Sequence, residues 1–576
     1  MKHETHEVDF CVVGGGMAGL LAAIAAARHG ARVALIQDRP VPGGNASSEI
    51  RMHICGAHGD NRRETGILEE LQLENHYRNP QPNYSIWDSV TYGAARYQTG
   101  LSLFLNCTVY ECTMDGNRIV SVTGRQLTTE TRHTIRAAMF ADCTGDGSLA
   151  PLTGAEFRIG REARHEFNES IAPETADHKT MGMSCLFQAR EYDTPQPFIA
   201  PDWAYRFTRP EDLRGRQCSV RKTNFWWMEV GGEQDSIHDT ETLRDELLKI
   251  AFGVWDYIKN HSPAREEASN WALDWQGFLP GKRESRRYLG DHILTQNDIA
   301  AEGRFADLVA YGGWTMDDHF PAGFYHPEAG TIFHPAPSPF GIPFGSLYSR
   351  NIANLFCAGR CHSATHAAMS ATRVMATTSL MGQAVGTAAA MAVRDSITPR
   401  EVREQRIAEL QQQLMDDDCW LPWHQRKIPQ LSRQAVLTAA TGDVESLRSG
   451  IDRPIGDTPN GWCGPPGTAV TYRFEAETPV TQARLVFDSH LNRPFLNMRS
   501  SYPRDGEPWS VPHTLTKAFR IEIQQHDGNW QPVFSATNNY QRLVRVPLDV
   551  RTRAVRLVPE STWGEELVRV FAFDVC

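Results

Sequence analysis

Apolar positions follow two different textures along this chain. Up to about residue 400, short continuous apolar runs alternate with longer stretches of small residues. Beyond about residue 451, apolar and polar positions alternate at period two between Gly and Pro turns. Continuous runs such as VDFCVV (8–13) and ARVALIQ (31–37) predict parallel strands buried on both faces. The intervening GGGMAGLLAAIAAARHG predicts a glycine turn and a helix, so residues 8–37 read as strand, turn, helix, strand. MFADC (139–143) and NLFC (354–357) predict further buried strands, and residues 370–392 a long helix of small residues. The alternating runs AVTYRFEAET, TQARLVFDS, AFRIEIQQ, RLVRVPLDV, RAVRLVPE and LVRVFAFDV predict a small all-β sandwich. Ahead of it, 397–430 reads as an amphipathic helix that starts at Thr398-Pro399 and carries Ile407, Leu410 and Leu414 at helical spacing.

The first strand–turn–helix unit carries chemistry. Gly14, Gly16 and Gly19 fill the three places of GxGxxG. The first glycine permits the tight turn, the second lets a pyrophosphate approach the backbone, and the third lets helix and sheet pack closely. The helix N-terminus then faces the phosphates. An acidic residue is expected at the end of the second strand to hold a ribose hydroxyl. Here Gln37 and Asp38 stand there, and either accepts such a bond. No second GxGxxG unit for a nicotinamide nucleotide follows.

Three separated segments now act together. PVPGGNASSEIRMHICGAHG follows the second strand, MFADCTGDGSLA ends a later one, and NLFCAGR precedes the small-residue helix. Together they resemble the FAD-dependent oxidoreductases whose two-part FAD domain is related to those of fumarate reductase and glutathione reductase, over roughly residues 8–400. The resemblance implies that Gly43, Gly44, Asn45 and Ser47 lie along the ribityl chain and pyrophosphate, and that Asp142 and Gly145 close over the adenine side. It also implies that Gly359 and Arg360, with Gly382, Gln383 and Ala384, present backbone amide and helix N-terminus to the flavin, where negative charge gathers on reduction. The resemblance implies FAD as the cofactor. In the C-terminal part, GWCGPP, the VRLVPES–WG turn and the final VRVFAFDV are similar to discoidin-type modules, many of which bind carbohydrate. Trp462, Trp509, Trp530, Tyr540 and Trp563 are the aromatics available there for sugar stacking, although most aromatics in such a sandwich belong to its core.

The expected fold class is α/β, a Rossmann-like FAD-binding domain split by an inserted α+β cap, with a C-terminal all-β sandwich. The expected boundaries are 1–150 and 346–400 for the two FAD-binding parts and 151–345 for the cap. A helical connector takes 401–450 and the sandwich 451–576. The cap is rich in aromatics, among them Phe225, Trp226, Trp227, Trp255, Trp271 and Trp275, and a domain interface over the flavin is where a substrate pocket belongs.

Length and composition narrow the class further. A chain of 576 residues is too long for one core, and 41% hydrophobic with 22% charged residues is an ordinary globular composition. Acidic residues outnumber basic ones, 69 against 58, for a net charge of −11, which disfavours nucleic acid and anionic membranes as partners. No segment supplies the roughly 20 apolar residues of a membrane span. The opening MKHETHEVDFCVV has no secretory pattern, and the twelve cysteines follow no disulfide framework. Cytoplasmic placement is the expectation, with a homo-oligomer open.

For chemistry, GKRESRRYLGDHILTQND crowds Arg283, Glu284, Arg286 and Arg287, a set suited to a carboxylate or to the flavin edge. Arg286 and Arg287 are taken as candidates there. Oxidation of an alcohol needs a base for the hydroxyl proton. His319, beside Asp317 and Asp318, is the first candidate, and His362 and His366 after the AGR turn are the next. His53 and His58 are candidates for covalent flavin attachment, as in some relatives. No HExxH, CxxC…CxxC or paired HxH spacing argues for a metal, so none is expected. The function expected is hydride transfer between a small hydroxylated substrate (a sugar, glycoside or related polyol) and the flavin, with an unidentified electron acceptor. The alternatives are reduction or dehydrogenation of an unsaturated or hydroxy carboxylic acid, redox-assisted cleavage of a glycoside, and a carbohydrate-binding protein that keeps FAD without catalysis.

Overall fold

A computed structural model describes residues 1–220, 225–328, 330–494, 498, 501–502, 504–506 and 508–576. It divides into two compact units, one of 1–57, 82–410 and 495–508, the other of 58–81, 411–494 and 509–576.

In the first unit, strand β1 (Lys2–Glu7) leads into β2 (Phe10–Val13), helix α1 (Met17–Arg28) and β3 (Val33–Ile36). After two helices come β4 (Leu101–Phe104), β5 (Cys107–Asp115), β6 (Arg118–Gln126), β7 (Thr131–Arg136) and β8 (Met139–Asp142). Much later the chain returns as β9 (Leu355–Cys357), α2 (His366–Thr372) and α3 (Met375–Asp395). An all-parallel sheet has the order β9-β8-β2-β3-β4, and every residue of β2, β3, β8 and β9 is buried, as their unbroken apolar runs require. A second sheet, β1-β7-β6-β5, pairs β1 parallel to β7. β1 reads KHETHE, too polar to stand out as a strand, and the sequence reading begins the first strand only at Val8.

Helix α3 packs on α1 through glycines. A Cβ on Gly382 would collide with the Ala18 carbonyl, and one on Gly386 with that of Ala22. Backbone therefore meets backbone, which only small residues permit.

The inserted region is a mixture of short strands and one long helix, Thr240–Asp256. Its core gathers Phe187, Phe225, Trp255 and Trp271, with the Phe187 and Phe225 rings stacked at 4.2 Å. The strand Phe187–Glu191 pairs with Trp271–Gln276 on one side and with Ser501–Tyr502 on the other.

The second unit centres on a seven-stranded antiparallel sheet. Four of the runs read as separate strands are in fact two long ones. Val470–Phe487 contains AVTYRFEAET and TQARLVFDS almost whole, and Leu543–Thr562 does the same for RLVRVPLDV and RAVRLVPE. Register breaks between Arg473 and Thr478 and between Val480 and Gln482 bend the first of them. Trp530–Ala536 is a strand the sequence reading lacks. Trp462 is fully buried in the core, while Tyr540 and Trp563 pack at its edge.

Candidate active site

Two glycine loops build a cleft of about 190 Å³ at the C-terminal ends of the parallel strands. Gly14 has φ of +97°, and a Cβ there would sit 2.5 Å from the backbone of Cys143. The Gly43 amide donates to the Gly15 carbonyl at 2.8 Å, and a Cβ on Gly44 would lie 2.9 Å from the Gly16 Cα. Gly16 itself opens on the cleft, since its Cβ would meet nothing nearer than 3.9 Å. α1 begins directly behind it, with no side-chain cap and no acidic residue in its first turn. Its free amides thus point at a space that suits an anion.

The far wall is set by Asp142, fully buried at the end of β8. One carboxylate oxygen accepts from the Thr144 amide (2.9 Å) and hydroxyl (2.7 Å), the other from the Leu149 amide (2.8 Å) and the Tyr288 hydroxyl (2.7 Å). These bonds lower its pKa, but burial outweighs them and the net shift is upward. Beyond the turn, Asp146 pairs with Lys282 at 2.8 Å and stands 3.6 Å from Arg360. Burial raises the Asp146 pKa, and the two cations overcome it and hold the group ionised.

A second cavity of about 300 Å³ shares Asn45, Arg360, Arg373 and Met375 with the cleft. Its flat walls include Trp226, Trp314 and Phe333. Its polar end is a buried relay. His319 Nδ1 lies 2.5 Å from Glu229 Oε2, and Nε2 lies 3.2 Å from Asp317 Oδ2. Arg373 Nη2 reaches Asp317 at 3.1 Å, and Arg283 approaches Glu229 at 3.6 Å while donating to Ser184 Oγ at 2.9 Å. Burial raises both carboxyls, yet both finish below their ordinary range, Asp317 through His319 and Arg373, and Glu229 through Arg283 and His319. The Trp226 ring meets the His319 ring edge-on at 5.4 Å.

The profile of the FAD dependent oxidoreductase family matches residues 9–414. The chain belongs to that family. FAD is accordingly its cofactor, and the residues present fit it. Besides the glycine cradle, Arg39 Nη1 and Arg360 Nη1 are buried without a hydrogen-bond partner among the described residues, and both side chains line the cleft. Anionic oxygens are the natural partners for such donors.

Ten of the sixteen residues assigned to FAD from the sequence line that cleft, namely Gly14, Gly16, Gln37, Asp38, Gly43, Gly44, Asn45, Gly145, Gly359 and Arg360. Gln37 Oε1 accepts from the Gly15 amide at 2.6 Å, so it braces the glycine turn. The other six stand behind it. Gly19 packs α1 against the Gly14 carbonyl, Ser47 Oγ donates to the Gly44 carbonyl at 2.8 Å, and Asp142 shapes the turn described above. Gly382, Gln383 and Ala384 lie inside α3, more than a turn beyond its start. Met375 and Thr378, in the first turn, line the FAD cleft instead.

Of the catalytic candidates, His319 alone lines the second cavity. Arg286 and Arg287 line neither. Arg286 lies over the Phe157 ring at 5.5 Å, and Arg287 is buried on Glu162 at 2.9 Å and Glu284 at 3.4 Å. The pair facing the cavity from that stretch is Lys282 and Arg283. His366 joins the buried network, with Nδ1 2.8 Å from Glu284 and Nε2 3.1 Å from Asp318. Burial lowers its pKa, but the two carboxylates prevail and push it up to about 10. His362 is lowered by burial to about 4, and it ties the Gly359 carbonyl (2.8 Å) to the Thr372 hydroxyl (3.1 Å). His53 lines the second cavity, whereas His58 is exposed and belongs to the second compact unit. All twelve cysteines are free, Cys357 and Cys361 included.

Glu229, Arg373 and Arg39 were not singled out from sequence. Glu229 and Arg373 each interrupt an apolar or small-residue run, FWWMEVGG and SATRVMATT, and a lone charge in such a run is a legible signal of a buried functional pair.

No curated protein sequence matches the chain. Among solved structures, a family 32 carbohydrate-binding module from Streptococcus pneumoniae is 16% identical over 25% of this chain and 97% of its own, with a TM-score of 0.20. The anhydrotetracycline hydroxylase OxyS of Streptomyces rimosus is 12% identical over 70% of this chain and 66% of its own, with a TM-score of 0.33. The flavin-dependent brominase Bmp2 is 12% identical over 72% and 86%, with a TM-score of 0.34. No helix among the described residues is long and apolar enough to cross a membrane.

Proposed function

We propose that this FAD dependent oxidoreductase interconverts a small hydroxylated substrate (a sugar, glycoside or related polyol) and its carbonyl form in the cavity beside the cofactor cleft. Bound FAD supplies the hydride acceptor for the substrate carbon. The observation that carries the reading is His319, fixed at Nδ1 by buried Glu229 and turned through Nε2 toward Asp317 and the cavity. The His319–Asp317 pair takes the hydroxyl proton in oxidation, at the Asp317 carboxylate beside Nε2, and returns it to the carbonyl oxygen in reduction. Glu229 anchors Nδ1 and so keeps the ring aimed at Asp317. Asp317, kept ionised by His319 and Arg373, first accepts a hydrogen bond from the substrate hydroxyl and aims it. Trp226, Trp314 and Phe333 offer the flat apolar faces on which a sugar ring stacks.

Arg360 favours a second reading. Its unpartnered Nη1 and its place in both cavities suit a carboxylate as well as a flavin oxygen, so an unsaturated or hydroxy acid is the competing substrate class.

Anaerobic mixing of the purified flavoprotein with sugars, glycosides, polyols and hydroxy acids tests both readings. Bleaching of the oxidised flavin band by a polyol or glycoside, lost in His319→Asn, is the expected result. No bleaching by any hydroxylated donor, together with rapid reoxidation of the dithionite-reduced protein by an enoate, overturns it in favour of the acid.

A further inference from the structure

Three potential metal ligands meet on the β1–β7 sheet, and none of them lines the cleft or the second cavity. β1 runs parallel to β7 with Glu4 opposite His133. His6 is two residues along from Glu4, and alternate residues of a strand share a face. His6 Nε2 is 3.0 Å from His133 Nδ1, and Glu4 Oε2 is 3.7 Å and 3.5 Å from those two nitrogens. A tetrahedral Zn²⁺ with bonds of about 2.0–2.1 Å sets its ligand atoms about 3.3–3.4 Å apart. The triangle already has nearly that size.

Gln126 Nε2 donates to the Leu105 carbonyl at 2.6 Å, which leaves its Oε1 as an acceptor. That Oε1 accepts from the Thr129 hydroxyl at 2.6 Å and lies 3.4 Å from His133 Nε2, so the tautomer with its hydrogen on Nε2 has an acceptor there and turns the Nδ1 lone pair toward His6 and Glu4. An outer acceptor that orients a ligating imidazole in this way is the usual partner of a metal-bound histidine. Phe104 closes one side, its ring 4.9 Å from His6 and 5.0 Å from His133. Glu4 and His6 are partly exposed, and Lys2 Nζ pairs with Glu4 Oε1, leaving Oε2 to face the two histidines.

We propose that Glu4, His6 and His133 bind one divalent transition-metal ion of the zinc type, which clips the edge strand β1 to β7. Two imidazoles and one carboxylate suit Zn²⁺ far better than Ca²⁺ or Mg²⁺, which prefer all-oxygen shells. The sequence reading missed the site because Glu4-x-His6 has meaning only once β1 is known to be a strand, and His133 is 127 residues from His6.

The test is calorimetric titration of the chelator-stripped flavoprotein with ZnCl₂, with a thermal melt of each sample. One equivalent is expected to bind with a micromolar or tighter Kd and to raise Tm. His6→Ala, on the partly exposed edge strand, is expected to weaken that step at least about tenfold and abolish the rise in Tm, with FAD content unchanged. His133→Ala should do the same, but its ring is buried, so His6→Ala is the variant that decides. Cys576→Ser in the same background removes the one exposed thiol as a competing ligand. Failure of the wild type to bind in that range, or equal affinity in His6→Ala, overturns the proposal.

Discussion

At the residue scale the polar end of the second cavity depends on charges buried in opposing pairs. His319 sits between two carboxylates, and each carboxylate is in turn held by an arginine. Asparagine at 319 keeps the approximate volume but takes no proton, so His319→Asn is expected to slow flavin reduction by roughly 10²–10⁴-fold. Glu229→Gln leaves the ring in place without its orienting charge. It should lower the rate less and shift the pH profile of reduction, which stopped-flow bleaching at several pH values would read. At the cofactor end the expected outcome is loss of FAD itself. Gly44 has φ of +58° and a Cβ on it would lie 2.9 Å from the Gly16 Cα, so Gly44→Ala adds both strain and a clash where two loops abut. The purified variant should carry far less flavin than wild type, by absorbance ratio, while its circular dichroism stays native.

At the element scale, what could be read in the sequence follows from how local each signal is. β2, α1 and β3 are legible because an unbroken apolar run, a glycine turn and an alanine-rich helix are adjacent, and four of the ten cleft residues named from sequence, Gly14, Gly16, Gln37 and Asp38, lie at their ends. The flavin-facing end of α3 is less so. Its small residues continue for 21 positions with no cap residue to mark the start, and the glycines inside it have a different task. Gly382 and Gly386 let α3 lie against α1, and that task gives an expectation of its own. Gly382→Val must push the helices apart, at a cost of roughly 1–3 kcal/mol from overpacking. Its melting temperature should fall, and FAD should dissociate faster because Met375 and Thr378 move with the helix. A variant as stable as wild type that retains FAD would show that the helices have slack. The arginine stretch at 283–287 shows the opposite limit. Composition marked it as a cluster, but which side chains face the cavity depends on strand pairing. Arg287–Tyr288 pairs with Phe157–Arg158 and turns Arg287 into the interior.

At the scale of the whole molecule, each compact unit contains a buried ion pair whose own contribution to stability is lost in one pH direction. In the first, His366 has a pKa raised from 6.5 to about 10 by Glu284 and Asp318 against the opposing effect of burial. A group raised on folding adds stability below its unfolded value and loses it as pH climbs through the folded one. That contribution is therefore full below pH 6.5 and fades between there and about 10. In the second unit, Glu69 is raised by burial but brought down to about 2 by the Arg493 fork, whose nitrogens lie 2.8 and 2.5 Å from the two carboxylate oxygens. Here the sign reverses, since a depressed carboxyl stabilises above its unfolded value of 4.5 and the gain is lost as pH falls toward about 2. Calorimetric melts across pH should then show the His366 contribution to the first unit lost on the alkaline side and the Glu69 contribution to the second lost on the acid side. His366→Gln should flatten the alkaline limb and leave the acid limb as it was. Arg493→Ala leaves Glu69 charged and buried without its partner, a cost of roughly 3–5 kcal/mol at neutral pH. Lowering the pH protonates that carboxyl, so the variant's deficit should shrink in acid. A deficit that stays constant with pH would mean that packing of the arginine, and not its charge, holds that part of the second unit together.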